Sequence, residues 1–371
     1  MYTCCVMIPF RLYHLYALLK AVHSTPLGEA NRLAMYFKQH RSLGSKDRQW
    51  ISSRLFAVLR HQRLLEALLT KENKEISPEN LVSKLDEGAL ENIAAYKEFP
   101  WPIRYSVSDD LAVCLIKDYG EEKAQEIAKW FLQEAPLSIR VNTRRISVED
   151  LQQSLGYPCT LGETPGSLNF LKRYPLQSSL AFRQGLFEIQ DESSQKITLE
   201  IPVTKQDRVL DFCAGAGGKS LILAEKARHV VLHDCRQKIL QEAKHRLLRA
   251  GLRNFSIQRT KSLKNQRFSL VVVDAPCSGS GVFRRHPEKK ILFSRQELLQ
   301  HSYAQRQILE EAVRYVQKGG RLVYITCSLL SLENEKHSAY MLSLGWKPER
   351  ITHILAPNRG DSFFAAHFIR K

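Results

Sequence analysis

Residues 208–219 read RVLDFCAGAGGK. A short apolar run ends at Asp211, a turn carrying Gly215, Gly217 and Gly218 follows, and a helical stretch, KSLILAEKA, begins at Lys219. Glycines in such a turn permit positive φ and close backbone approach, so a ligand can lie across the strand end beside a helix N-terminus. The spacing is not that of a phosphate-binding G-x-x-x-x-G-K-[ST] loop, nor the G-x-G-x-x-G of dinucleotide sites. A turn of this kind also occurs as a plain strand-to-helix connection, so its meaning depends on the chain around it.

Downstream, strands and helices alternate. VVLHD ends in Asp234, where a carboxylate can meet ribose hydroxyls; a helix over 237–250 follows, then FSIQ, FSLVVVD, a helix through 296–316, RLVYITC and a helix over 332–344. That order predicts βαβ units and a doubly wound, mostly parallel Rossmann-like sheet. The last two apolar runs, 346–355 and 362–369, have no long helix between them and are expected to form an antiparallel hairpin at the sheet edge. Upstream, residues 138–190 hold short extended pieces, LSIRVNT and LFEIQ, between Gly/Pro turns, which predicts a small α/β subdomain. From Leu12 to about Trp130 apolar residues recur three and four apart, the mark of a helical domain. Polar ENKEISPENLVSKLDEG and the proline-bearing FPWPIRYS read as connections within it. The expected division is therefore 1–130 all-α, 131–200 small α/β and 201–371 catalytic α/β.

Two further motifs sit at strand ends. Asp274-Ala-Pro-Cys277-Ser-Gly-Ser-Gly281 follows VVV, and Tyr324-Ile-Thr-Cys327-Ser ends the next strand and runs into Glu333-Asn334-Glu335. Ligands of α/β sheets bind beyond the carboxyl ends of the strands, so two thiols and one carboxylate are expected to converge on one rim. A single cysteine after a strand is more often a small buried hydrophobe; two in this order, beside an aspartate, point to chemistry.

These segments resemble the Sun/Fmu-type RNA cytosine-5 methyltransferases. Ile139-Arg-Val-Asn-Thr143 and Phe182-Arg-Gln-Gly-Leu-Phe-Glu-Ile-Gln-Asp-Glu192 also match, and Leu43-Gly-Ser-Lys-Asp-Arg48 with its helix is similar to the NusB-like, RNA-binding N-terminal extension of the bacterial ribosomal RNA members. The resemblance implies a class I methyltransferase sheet and an RRM-like small subdomain. It implies an S-adenosylmethionine site formed by Cys213, Ala214, Gly215, Ala216, Gly217, Gly218, Lys219, Asp234 and Asp274. It also implies Cys327 as the nucleophile toward cytosine C6, Cys277 in its release, and Asp274 stabilising charge on the ring. Lys219 is expected either to orient Asp274 or to face solvent. Two departures stand out: Gly215-Ala216 replace the family's usual Ala-Pro, and no Asp or Glu follows the third strand of the sheet to contact adenine.

Charge agrees with an RNA substrate. Of the 55 Lys/Arg and 38 Asp/Glu, residues 201–371 hold 30 and 14. A basic surface on that scale lowers the cost of approaching a polyphosphate. The target cytosine must leave any stack to present C5 and C6, which favours single-stranded or looped RNA. Ribosomal RNA is the expected partner and transfer RNA the alternative. A DNA methyltransferase of the same chemistry takes its nucleophile from the Pro-Cys motif, and the added Thr-Cys-Ser argues against it. A non-catalytic RNA-binding or assembly factor is opposed by the intact Cys277, Cys327 and Asp274.

The eight cysteines, at 4, 5, 114, 159, 213, 235, 277 and 327, include no C-x2-C pair, so no metal is expected. Free thiols and the absence of an export signal imply a reducing cytoplasm, with Met7 as an alternative start. No window approaches the ~18 apolar residues of a membrane span, and a monomer is expected.

Overall fold

The computed structural model describes residues 8–24, 31–355 and 360–371; Met7, Cys4 and Cys5 lie outside them. The chain divides into two compact units, one of residues 1–134 with 283–295, the other of residues 135–282 with 296–371.

The first unit is helical. Its longest helix, Ser45–Lys71, buries Ile51, Leu55, Val58, Leu64 and Leu68 against Leu15 and Leu19 of helix Phe10–Ser24 and against Leu81 and Val82. The last two belong to a helix, Pro78–Asp86, inside the stretch read from sequence as a connection. Ser77 caps it by accepting from the Asn80 N–H, and Pro78 occupies the first turn, where no amide is needed, so two buried side chains sufficed to fold a polar segment. FPWPIRYS likewise contains one helical turn, Trp101–Arg104. Segment 283–295 contributes Lys290, fully buried, whose ammonium donates to the carbonyls of Arg60 and Tyr105 at 2.7 Å each. Burial, with Arg60 beside it, pushes this lysine well below its ordinary pKa.

The second unit contains two sheets. The smaller joins β1 (Leu137–Val141), β2 (Cys159–Leu161), β3 (Ser167–Phe170) and β4 (Phe187–Ile189) in the order β2-β3-β1-β4, every pairing antiparallel. The larger has seven strands: β5 (Arg208–Asp211), β6 (His229–Leu232), β7 (Phe255–Ile257), β8 (Phe268–Asp274), β9 (Val316–Thr326), β10 (Lys347–Ile354) and β11 (Phe363–Ile369). Their order is β10-β11-β9-β8-β5-β6-β7. Strands β5 to β9 run parallel, and β11 pairs antiparallel with both β9 and β10. The expected edge hairpin is present.

Both faces of the central parallel strands are buried, which is why runs such as residues 270–273 and 322–325 are continuously apolar rather than alternating. Val209, Val230, Leu270, Val272, Val323 and Ile325 pack on one face, while Leu210, Val231, Val271, Val273, Leu322 and Tyr324 pack on the other. The strand order reverses at β5, whose neighbours are β6 and β8, and this switch opens a crevice beyond Asp211 and Asp274. Among the described residues no helix is long and apolar enough to cross a membrane.

Candidate active site

Strand β5 delivers the glycine turn. Asp211 is buried and accepts from the Ser220 hydroxyl at 2.6 Å. Burial pushes its carboxyl up to about 7, against the pull of that hydrogen bond. Cys213 follows; burial, reinforced by Asp211, Asp274 and Asp234, holds its thiol well above the usual range. Ala214 donates its N–H to the His233 carbonyl at 2.9 Å, and the Ala216 carbonyl accepts from Arg246 at 2.9 Å. Gly215 and Gly217 have φ of +51° and +77°, but Gly218 does not share the left-handed backbone expected of it. Gly217 is required by packing as well, since a Cβ there would lie 2.9 Å from Ala243 Cβ on helix Gln237–Arg249. A Cβ on Gly218 would meet nothing within 4 Å, so open space lies over the first turn of helix Gly218–Lys226.

Asp234 follows β6 and is 3% exposed. Its carboxylate accepts from the Gly215 N–H at 2.9 Å and from the Arg236 side chain at 3.0 Å through both oxygens. Burial pushes its pKa up, but the Arg236 and Gly215 hydrogen bonds outweigh this and hold it below its ordinary value. Arg236, with 66% of its side chain exposed, was not singled out from the sequence. After β7, where an acidic residue is missing, Thr260 bonds His233 Nε2 at 2.9 Å. His233 Nδ1 donates to the Phe212 carbonyl at 2.7 Å, so this imidazole ties the ends of β5 and β6 to the residues after β7.

On the other side of the crevice, Lys219 is buried and its ammonium lies 2.6 Å from Asp274 Oδ2, an ion pair that decides between its two expected roles in favour of orienting the aspartate. Cys277 and Cys327, 50 residues apart in sequence, bring their sulfurs to 3.3 Å. The Cys327 hydrogen bond, burial and the charge of Glu333 hold the Cys277 thiol well above the ordinary range. No Arg or Lys is among the groups that act on Cys277.

Residues to which the sequence motifs assigned no role hold these loops. Glu333, fully buried, accepts from the Ser278 N–H at 2.8 Å, the Ser278 hydroxyl at 2.6 Å, Gln305 Nε2 at 2.9 Å and the Ser328 hydroxyl at 2.5 Å. Asn334 bonds Thr326 and the Ser328 carbonyl at 2.6 and 2.9 Å. Because these two side chains serve the strand-end loops, the helix expected from 332 starts only at Glu335. The available signal was a serine after each cysteine and a Glu-Asn pair close behind the second.

The open space over Gly218 and the buried Asp234 carboxylate beside the glycine turn fit a nucleoside such as S-adenosylmethionine, whose ribose would meet an acceptor there. A seven-stranded sheet with one antiparallel insertion, and a glycine turn at its switch point, defines the class as a Rossmann-like methyltransferase. The likeness to a family follows from comparison. Residues 198–368 match the model described as 16S rRNA methyltransferase RsmB/F, and residues 111–157 match a ferredoxin-like domain described for the same group. Residues 198–368 are therefore an S-adenosylmethionine-dependent methyltransferase domain similar to that of the RsmB/F group, the Sun/Fmu type. The chain is 30% identical over 230 residues to a probable ribosomal RNA small subunit methyltransferase B of Bacillus subtilis, covering 59% of this chain and 52% of that protein. To the ribosomal RNA small subunit methyltransferase B of Klebsiella pneumoniae it is 27% identical, covering 85% of this chain and 72% of the other. The chain thus aligns with about half the length of the first relative and nearly three quarters of the second. The crystal structure of PH0851 superposes over 99% of this chain and all of that one, with a TM-score of 0.79 at 20% identity, a likeness of fold.

Proposed function

We propose that this chain methylates C5 of a cytosine in small-subunit ribosomal RNA. The observation that carries the reading is the 3.3 Å approach of Cys277 and Cys327 at the ends of adjacent strands, with the Lys219–Asp274 pair at the end of one of them. C5 of cytosine is a poor nucleophile, so electrons must first enter the ring at C6, and a thiolate is the suitable group. Cys327 Sγ attacks C6. Asp274, with Oδ2 held by Lys219, has Oδ1 left to meet the N3–N4 edge of the base, accepting from the N4 amino group and sharing a proton with N3, and it is this proton that offsets the negative charge developing on the ring. S-adenosylmethionine, resting on the glycine turn, supplies the electrophilic methyl group. Loss of the C5 proton to water then lets the C6–S bond break, and the Cys277 thiol, kept protonated by its surroundings, stands next to the departing Cys327 sulfur to return a proton, which Cys277 regains from solvent.

The names of the relatives and the basic balance of residues 201–371, 30 Lys/Arg to 14 Asp/Glu, support ribosomal RNA as the substrate. The test is transfer of labelled methyl from S-adenosylmethionine to small-subunit RNA from a strain lacking this protein, followed by bisulfite sequencing. Label at one cytosine is the expected result. Folded protein that labels no RNA, or labels another position of the base, would overturn the proposal.

A further inference from the structure

We propose that Glu333 is the positioning residue that locks the two thiol loops in register and keeps Cys277 in the role of proton donor rather than nucleophile. This rests on the covalent reading above. Ser278 directly follows Cys277 and Ser328 directly follows Cys327, and the one carboxylate accepts from both hydroxyls and from the Ser278 N–H. One oxygen takes both hydroxyls and the other takes the Ser278 N–H. Gln305 extends the clip, giving one amide hydrogen to Glu333 and one to the Pro276 carbonyl, at 2.9 Å each, so the residues on both sides of Cys277 are held.

The clip has a second layer. The Ser280 hydroxyl lies 3.1 Å from that of Ser328 and accepts from the Leu329 N–H at 2.8 Å, while Gly281 donates its N–H to the Cys327 carbonyl at 2.9 Å. Tyr324 donates its hydroxyl to the Glu333 carbonyl at 2.7 Å, fixing the carboxylate's own backbone to the strand that precedes Cys327. A sub-ångström placement of two sulfurs is thus set by one buried side chain that touches neither of them through a hydrogen bond.

The carboxylate also acts through space. Among the described residues no Lys or Arg pairs with it, so its negative charge is balanced by hydrogen bonds alone. The ionisable groups that face Cys277 are Tyr324 on β9 and Cys327 and Glu333 in the loop after it. All three become anionic when they ionise, and Glu333 is the acid of the set. A negative charge beside Cys277 penalises its thiolate, which leaves the thiol form to donate.

The test uses the full-length protein and two variants. Glu333→Gln keeps the size of the group and the acceptor for Ser278 N–H and Gln305, but removes the charge. Glu333→Ala removes the clip. Alkylation by iodoacetamide is followed against pH, with peptide mass spectrometry reporting Cys277 and Cys327 separately, and methyl transfer to small-subunit RNA is measured in parallel. We expect Glu333→Gln to move the alkylation midpoint of Cys277 to lower pH. We expect Glu333→Ala to lower kcat at least about tenfold with the KM for RNA within about twofold, because the loss falls on the reacting geometry and not on binding. An unchanged Cys277 profile in folded Glu333→Gln would overturn the proposal, and so would unchanged kcat in folded Glu333→Ala. If Glu333→Ala does not fold, the Glu333→Gln profile decides alone. The alkylation profile needs no methyl transfer, so a wild-type protein without activity would count against the covalent reading while leaving the role of Glu333 open to measurement.

Discussion

The two sides of the crevice are built from different materials. The side after β5 and β6 is shaped by backbone: Gly217 lets the turn press against Ala243, and the Gly215 N–H is taken by Asp234. The side after β8 and β9 is shaped by buried polar side chains, with Glu333, Gln305, Asn334 and three serines linking the loops that carry the thiols. Glycine matters there too, for a Cβ on Gly281 would come within 2.3 Å of the Ser362 carbonyl oxygen and 2.8 Å of that of Cys327. The difference fits the roles proposed for the two sides. A reversibly bound nucleoside needs surface and a few acceptors, whereas a bond-forming sulfur must be held to within a fraction of an ångström.

If that contrast is right, substitutions on the thiol side should cost turnover and those on the glycine side should cost stability or affinity. The largest effect is expected at Cys327. Cys327→Ala should lower methyl transfer on the order of a thousandfold or more and form no adduct with RNA. Cys277→Ala should instead accumulate a protein–RNA complex that survives denaturing electrophoresis, and the double mutant should lose it. The opposite pattern would make Cys277 the nucleophile and reverse the roles assigned across the 3.3 Å sulfur pair.

Next comes the pair of glycines. Gly217→Ala places a methyl group 2.9 Å from Ala243 Cβ on backbone of positive φ and should cost about 1–3 kcal/mol in urea denaturation. Gly218→Ala has ordinary backbone and open space around it, and should be as stable as the native protein or more so by about 0.4–1 kcal/mol. Its cost should appear instead in calorimetric binding of S-adenosylmethionine. Equal stability of the two variants would show that packing against helix Gln237–Arg249 does not set the turn.

The smallest effect is expected at Asp234. Asp234→Ala removes the acceptor proposed for ribose hydroxyls and should weaken S-adenosylmethionine binding by about tenfold, a loss of the order of one charged hydrogen bond. Unchanged calorimetric affinity in a folded variant would mean that Asp234 serves only the Gly215 N–H and Arg236.

Much of this was legible in the chain because it depends on short-range pattern. The alternation of apolar runs with helical stretches after Asp207 predicted the parallel strands and the antiparallel edge, since strands buried on both faces must be continuously apolar. The motifs placed Asp274, Cys277 and Cys327 at strand ends for the same reason. The polar helix Pro78–Asp86 was missed because its apolar content is small and its cap, Ser77, looks like any loop serine.

The sequence by itself determined the alternating sheet, the glycine turn and the choice of candidate reactive groups, because each is written in neighbouring residues. Only the tertiary structure decided that Lys219 faces Asp274 and not solvent, and that the two sulfurs meet at 3.3 Å. It alone revealed that one glutamate binds the residues after both cysteines, 55 positions from the first and five from the second. Such long-range pairings are set by strand order and register, and these come from the burial of whole faces, to which no single stretch of sequence holds the key.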